Sequence, residues 1–337
     1  MGVKLGDITP KKQLSWEDLR GKTLAVDSSN MIYQFLSSIR QQDGTPLSDS
    51  KGNVTSHLVG LFSRIPNLME KGIKLAFVFD GKPPALKFQE VTERIEKKKA
   101  AEIKYKEAVE EEDVDAMLKY SKQTTKFTKE MASESKELLT AMGLPVIQAP
   151  SESDAQMAYM NKQNDVWACA TSDYDPLLHK APRVLRNLTL AQKKKTSGGG
   201  YAPVFPELIE LKEVLSSLEL THEQLVIVAI LVGTDYNPGG IKGIGPAKAL
   251  KLVQSGRKFE DIFKELGADF NWKKIEDTFK SMEVEKDYKI EFAEPDEENI
   301  KKLLLKHDFS EERINNTLTR IKTIGKDREQ KNLSKWF

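Results

Sequence analysis

Seven acidic residues stand where apolar runs end. Asp27 closes "TLAVD", Asp80 closes "LAFVFD", Glu152 and Asp154 follow "LPVIQAPS", Asp173 and Asp175 follow "VWACATS", and Asp235 comes just after "LVGT". Gathered in one place, so many negative charges repel strongly and are tolerable only with cations among them. Carboxylate oxygens select hard ions, and four dispersed histidines (His57, His179, His222, His307) with a single Cys169 supply no zinc set. The expected ion is Mg²⁺, with Mn²⁺ as a substitute. Six or seven acids exceed what one such ion takes, which points to two ions about 4 Å apart, the usual device for phosphodiester hydrolysis. Each acid alone has a plainer reading. Ser151-x-x-Asp154 spells a capping box, Asp27 before Ser28 and Ser29 spells a helix cap, and Asp173-Tyr174-Asp175-Pro176 an ordinary turn. Jointly these readings weaken, because turns do not oblige every strand of a sheet to finish in acid on one edge.

The elements that must position these acids follow from the apolar pattern. Runs at 23–27, 75–80, 144–150 and 166–173 read as strands, with helical patterns between them. Strands interleaved with helices predict an α/β fold with a central, mainly parallel sheet flanked by helices, whose ligand site lies outside the carboxyl ends of the strands. Residues 85–135 are rich in Lys and Glu with few large apolar residues, and read as an exposed helical excursion. Beyond "TSGGGY" (196–201) the chain turns mostly helical; Thr221 and Gln224 spell a capping-box start for a helix carrying Leu225 to Val232, and Gly233 its stop. The expected organisation is one domain over 1–325, with 1–84 and 136–230 as core, 231–257 as a helix-hairpin element, 258–325 as C-terminal helices, and a flexible tail at 326–337.

Charge gives little by itself. Fifty-two basic residues against 51 acidic ones leave a net charge of +1, so a polyanionic partner requires segregated charge. Lys82, Lys87, Arg94, Lys97, Lys98 and Lys99 crowd one such segment. The longest apolar run, Leu225 to Val232, is too short to cross a bilayer, and the amino terminus lacks the apolar core of a signal peptide. With one cysteine, read as a buried small residue, a reducing cytoplasmic setting is expected. "GIKGIGPAKAL" (240–250) places Gly243 and Gly245 between two helices with Lys242, Lys248 and Lys251 nearby, either a backbone-phosphate grip for duplex DNA or a tight turn between packed helices.

In this order, "VDSSNMIYQFL", "FVFDGKPP", "APSESDAQMAYM", "TSDYDPLLHKAPRVLRNLT" and "GTDYNPGGIKGIGPAKAL" resemble the flap endonucleases, structure-specific 5′ nucleases of replication and repair, over nearly the whole chain. The resemblance implies that Asp27, Asp80, Glu152, Asp154, Asp173, Asp175 and Asp235 bind two divalent metals, and that Lys87 and Arg94, on the helical arch of 85–135, reach the scissile phosphate. Seven apart, those two fall on one helix face. It further implies a base-stacking role for Tyr33, whose plainer reading is a core tyrosine; a place for Gly2 beside the active site; and a potassium ion at the duplex-gripping hairpin of Gly243 and Gly245, with Lys242 and Lys248.

The tail "QKNLSKWF" fits the sliding-clamp (PCNA) binding peptide, with Leu333, Trp336 and Phe337 filling an apolar pocket and Gln330 a polar one; docking back on the protein's own core is the alternative. Because the chain stops there, it resembles the archaeal members, cytoplasmic and nucleoid-associated; a eukaryotic member would be nuclear. Three departures stand out. Asp154 occupies a position where Glu is common, which favours contact through water. Ala247 replaces a frequent basic residue, predicting a more salt-sensitive grip. The arch is richer in acid than in many relatives. The implied activity is 5′ flap endonuclease with 5′-3′ exonuclease activity on branched DNA, by a monomer with no membrane association. The rivals are a superfamily nuclease acting on bubbles or four-way junctions, and a non-catalytic junction-binding scaffold on the clamp.

Overall fold

The structure, a computed structural model, describes all residues except Met1, Gln42, Glu112, 189–192, 196–199 and 334–337. Its contacts group the chain into two compact units made of interleaved segments: 1–27, 78–94 and 148–288 in the first, and 28–77, 95–147 and 289–337 in the second. This differs from the single domain expected from the order of the elements. A compact unit is defined by which segments pack together, and here each unit recruits three stretches far apart in sequence.

In the first unit, strands β1 (Lys12–Gln13), β2 (Thr23–Asp27), β5 (Ala168–Ala170), β6 (Arg183–Arg186) and β9 (Glu207–Glu210) are hydrogen-bonded in the order β1-β9-β6-β5-β2. Parallel pairs β2 with β5 and β5 with β6 form the inner part, and antiparallel β9 and β1 complete the edge. The sheet is therefore mixed, parallel where the site is built. Leu24, Ala25, Val26, Ala168 and Cys169 are buried, the near-continuous apolar composition that strands covered on both faces require. Cys169 is a free, buried residue as expected, and burial pushes its thiol well up. Two further strands, β3 (Lys74–Phe79) and β4 (Val146–Gln148), lie side by side, through Phe77 N–H to Pro145 C=O at 2.8 Å and Ala149 N–H to Phe79 C=O at 2.9 Å. A separate antiparallel pair joins β7 (Lys193–Lys195) to β8 (Tyr201–Pro203).

Helix His222–Val232 starts on the expected capping box, with both reciprocal Thr221 and Gln224 bonds present, and Leu225 to Leu231 are all buried. Apolar on every side, it is a core helix. Among the described residues no single helix is long and apolar enough to cross a membrane. The second unit is helical. Leu58, Leu61, Phe62 and Ile65 of helix Ser56–Glu70, Leu138 and Leu139 of Lys129–Ala141, Ile300 and Leu304 of Glu297–Lys306, and Ile314 and Leu318 of Glu311–Leu333 make its core. That last helix runs on through Leu333, into the stretch expected as a flexible tail from 326; the backbone there continues the i to i−4 ladder. It carries Gln330 and Leu333, while Trp336 and Phe337 lie outside the described residues.

Candidate active site

All seven acids, with Lys87 and Arg94, belong to the first unit. Register brings two strands' acids together: Val26 pairs with Ala170, so Asp27 and Thr171 come level, and Thr171 Oγ1 donates to Asp27 Oδ2 at 3.2 Å. Two residues on, the 173–175 loop is held by the amino-terminal backbone. Gly2 N–H donates to Asp173 Oδ1 at 3.3 Å and Val3 N–H to Asp175 Oδ1 at 3.0 Å. Only glycine fits at position 2, because a Cβ there would lie 2.5 Å from Asp175 Oδ2 and 2.8 Å from the Asp173 Cβ.

At the end of β3, Asp80 Oδ1 accepts from Ser153 N–H at 2.9 Å, the first residue of helix Ser153–Lys162. The capping-box alternative does not hold there. The N-cap is Glu152, its side chain makes no capping bond, and Ser151 Oγ donates instead to Lys82 C=O at 3.2 Å. Glu152 and Asp154 are thus released for other use. Glu152 Oε1 accepts from Lys87 and Oε2 from the Tyr236 hydroxyl, while Lys87 Nζ also lies 3.1 Å from Asp235 Oδ2. Burial works against the Lys87 charge, but Glu152 and Asp235 more than offset it and raise the ammonium above its ordinary value.

The crowding shows in the acids themselves. Burial, then Asp27, Asp175, Asp173 and Glu152, pushes the Asp154 carboxyl well up. Asp175 is pushed up to about 7 by burial and then by Asp235 and Asp173, against the pull of the Val3 N–H. Asp154 Oδ1 is sealed from solvent with no hydrogen-bond partner. As positioned, no three His, Cys, Asp or Glu side chains among the described residues surround a point where an ion fits; between Glu152 and Asp235 the Lys87 ammonium supplies the positive charge. The donor chemistry nevertheless suits hard cations, since the cluster offers only oxygen and includes a buried acceptor with unmet demand.

Arg94 is placed differently. Lys87 ends a 3-10 turn, Ala85–Lys87, and the α-helix begins only at Phe88. Arg94 bonds back to Glu90, Nε to Oε1 at 2.8 Å, so the two bases do not share one target here. Tyr33 belongs to the second unit, its ring edge-on to Phe127 at 5.7 Å with Lys98 Nζ 5.2 Å from its centroid. In the hairpin, Ile241 and Ile244 are buried and anchor the turn, while Lys242, Gly243, Gly245, Ala247 and Lys248 are exposed at the start of helix Pro246–Gln254.

Sequence reasoning missed three supports. Asn237 locks the loop bearing Asp235, its Oδ1 accepting from Thr234 N–H at 3.1 Å and Thr234 Oγ1 at 2.7 Å. Gln156, fully buried, clamps the backbone of Glu285 in both directions at 2.9 and 2.7 Å, fixing the helix after Asp154. Tyr236 grips Glu152. Only the short Asn-containing turn had a local signal; the other two depend on segments far apart in sequence.

Two families cover most of this geometry. The XPG N-terminal domain matches residues 1–101 and the XPG I-region residues 143–235, which places the chain in the XPG class. It is 50% identical to flap endonuclease 1 of Pyrococcus abyssi, over 100% of this chain and 98% of that one, and 48% identical to the Pyrococcus furiosus protein, over 100% and 99%. The solved structure of flap endonuclease-1 from Methanococcus jannaschii matches with a TM-score of 0.77 at 42% identity, covering 97% of this chain and 100% of that one. Human GEN1 in complex with Holliday junction DNA matches with a TM-score of 0.71 at 24% identity, covering 98% and 80%, and shares the fold. The chain belongs to the flap endonuclease 1 family.

Proposed function

We propose that this protein cuts branched DNA at the junction of a 5′ flap, in replication and repair, using two Mg²⁺ ions, for which Mn²⁺ substitutes. It is a structure-specific 5′ flap endonuclease, a divalent-metal-dependent hydrolase of DNA phosphodiester bonds. The observation that supports this best is that six acids, Asp27, Glu152, Asp154, Asp173, Asp175 and Asp235, crowd one another within one compact unit, with Lys87 between two of them, while Asp80 stands exposed on the neighbouring loop, bonded to the first residue of the helix that carries Asp154. Asp27, Asp80, Glu152, Asp154, Asp173, Asp175 and Asp235 would hold the ions, which when bound activate water and neutralise charge on the phosphate.

The chain's own groups do the rest. Lys87 carries a fixed positive charge into the pocket and offers ammonium donors to a phosphate oxygen. The Gly2 and Val3 amides hold Asp173 and Asp175 in place. The exposed Gly243 to Gly245 turn, with Lys242 and Lys248, grips duplex backbone, so recognition rests on shape and phosphate contacts rather than base edges. Residues 85–135 act as the arch over the 5′ strand. Gln330, Leu333, Trp336 and Phe337 bind a sliding clamp, and the enzyme acts as a monomer.

Parallel incubations with a 5′ flap, a bubble and a four-way junction test the reading. Flap cleavage in Mg²⁺, none in EDTA, and little on the other two are expected. Asp173→Asn should abolish cleavage while flap binding persists; turnover by that variant would remove the acid from the site, and preferential junction cutting would favour the four-way-junction reading.

A further inference from the structure

The two acids contributed by the 173–175 loop are gripped from a second side. Tyr174, between them, is buried and starts the short helix Asp175–Leu178 without any side-chain capping bond; within the loop Asp173 N–H donates to Thr171 Oγ1 at 3.3 Å, and the Tyr174 ring has to be fixed from outside the loop. Arg186, at the end of β6, takes on that task. Its Nε donates to the Ser172 carbonyl at 2.9 Å, its Nη1 donates to the Tyr174 hydroxyl at 2.5 Å, and its guanidinium carbon lies 4.5 Å from the Tyr174 ring centroid. One side chain thereby holds the residues on either side of Asp173. The amino-terminal segment closes over the same ring: Lys11 Nζ is 6.0 Å from its centroid, and a Cβ on Gly6 would lie 3.1 Å from the hydroxyl. That segment also supplies the Gly2 and Val3 amides to the acids.

We propose that Arg186, acting through Tyr174 and the Ser172 carbonyl, is the positioning residue that sets Asp173 and Asp175 for metal binding. A planar guanidinium lies against a ring while its fixed N–H groups donate in two directions; an ammonium, a point charge with rotatable donors on a flexible stem, does not hold both contacts in one geometry. The inference rests on the reading that these acids hold divalent ions, and partners of metal ligands of this kind typically contribute 10-fold to 100-fold in affinity.

The test uses the full chain without DNA: free Mn²⁺ is followed by electron paramagnetic resonance during titration, and melting is recorded in EDTA. Arg186→Gln should raise the Mn²⁺ dissociation constant roughly tenfold, and Arg186→Lys should recover little of that. Tyr174→Phe, which removes only the hydroxyl, should raise it about threefold, with the melting temperature in EDTA held within about 2 °C. In flap cleavage the variants should need more Mn²⁺ yet approach the parent rate at saturation. Unchanged Mn²⁺ affinity in Arg186→Gln, or full recovery in Arg186→Lys, overturns the proposal; if Arg186→Gln does not fold, unchanged affinity in Tyr174→Phe overturns it alone. A parent chain that binds no Mn²⁺ removes the metal-site reading beneath it, a result distinct from a parent that binds and variants that bind equally.

Discussion

Lys87 and Arg94 illustrate what a spacing rule leaves out. Seven residues apart they would share a face of one helix, but the helix starts between them, at Phe88, and the angular relation does not carry across a 3-10 turn. Lys87 alone enters the acid pocket, at 3.1 Å from Asp235, while Arg94 is held by Glu90 one turn earlier on its own helix. Lys87→Ala should therefore slow single-turnover flap cleavage by about 10² to 10³ at saturating metal, the scale of losing one fixed donor to developing charge. Binding should weaken only slightly, with the salt slope falling by about one phosphate contact. Quench-flow rates and salt-dependent binding separate the two effects, and a variant that cleaves at the parent rate would falsify the placement of Lys87 at the phosphate.

Among the elements, the strand ends were legible because their apolar runs and terminal acids are local patterns. So was the Thr221 and Gln224 start of the core helix, which formed as spelled. The Ser151 capping box was misleading for a physical reason: the helix starts one residue later, with Glu152 at its N-cap, and Ser151 donates instead to the Lys82 carbonyl of another loop. Contacts of that kind, including Tyr236 on Glu152 and Arg186 on Tyr174, join segments distant in sequence and leave no periodic trace. Gly81 is a further case. Its N–H donates to the Ser151 carbonyl at 2.6 Å, and a Cβ would lie 2.2 Å from the Ala149 carbonyl oxygen and 2.4 Å from that of Pro150. The loop carrying Asp80 is thus laid directly on the loop carrying Glu152. Gly81→Ala must push the two apart, and should cost about 1 to 3 kcal/mol in urea denaturation. Because Asp80 moves with the loop, Mn²⁺ affinity should fall as well; an alanine variant as stable as the parent would show that the loops are not in contact.

For the whole molecule, two buried groups of titrating residues set stability against pH in opposite directions. In the first unit, the raised Asp175 carboxyl contributes stability to the metal-free protein that is fully present below its unfolded value of 3.8 and is lost as pH rises through about 7. In the second unit, His57 is fully buried; burial lowers it to about 4, Glu134 opposes this at 3.3 Å, and His307 reinforces it. His307 in turn lies between Asp49, 3.0 Å from Nδ1, and Glu134, 2.9 Å from Nε2, with Lys306 3.7 Å from Glu134. A depressed histidine contributes stability that is complete above 6.5 and is lost as pH falls toward 4, because the unfolded chain takes up the proton first. Between pH 7 and 5 the two groups therefore oppose each other, and the parent's net profile in EDTA conceals both. His57→Gln exposes one of them, since glutamine still donates to Glu134 but takes up no proton. Relative to this variant, the parent should lose about 2 kcal/mol between pH 7 and pH 5. Urea denaturation at the two pH values, in EDTA, measures that double difference, in which the Asp175 contribution cancels because both proteins share it. Parallel profiles for parent and variant would mean that His57 takes up its proton at the ordinary value of 6.5, Glu134 cancelling the effect of burial, and a parent that gains stability on acidification would mean that it is already protonated in the folded state; either result overturns the claim that burial governs its charge.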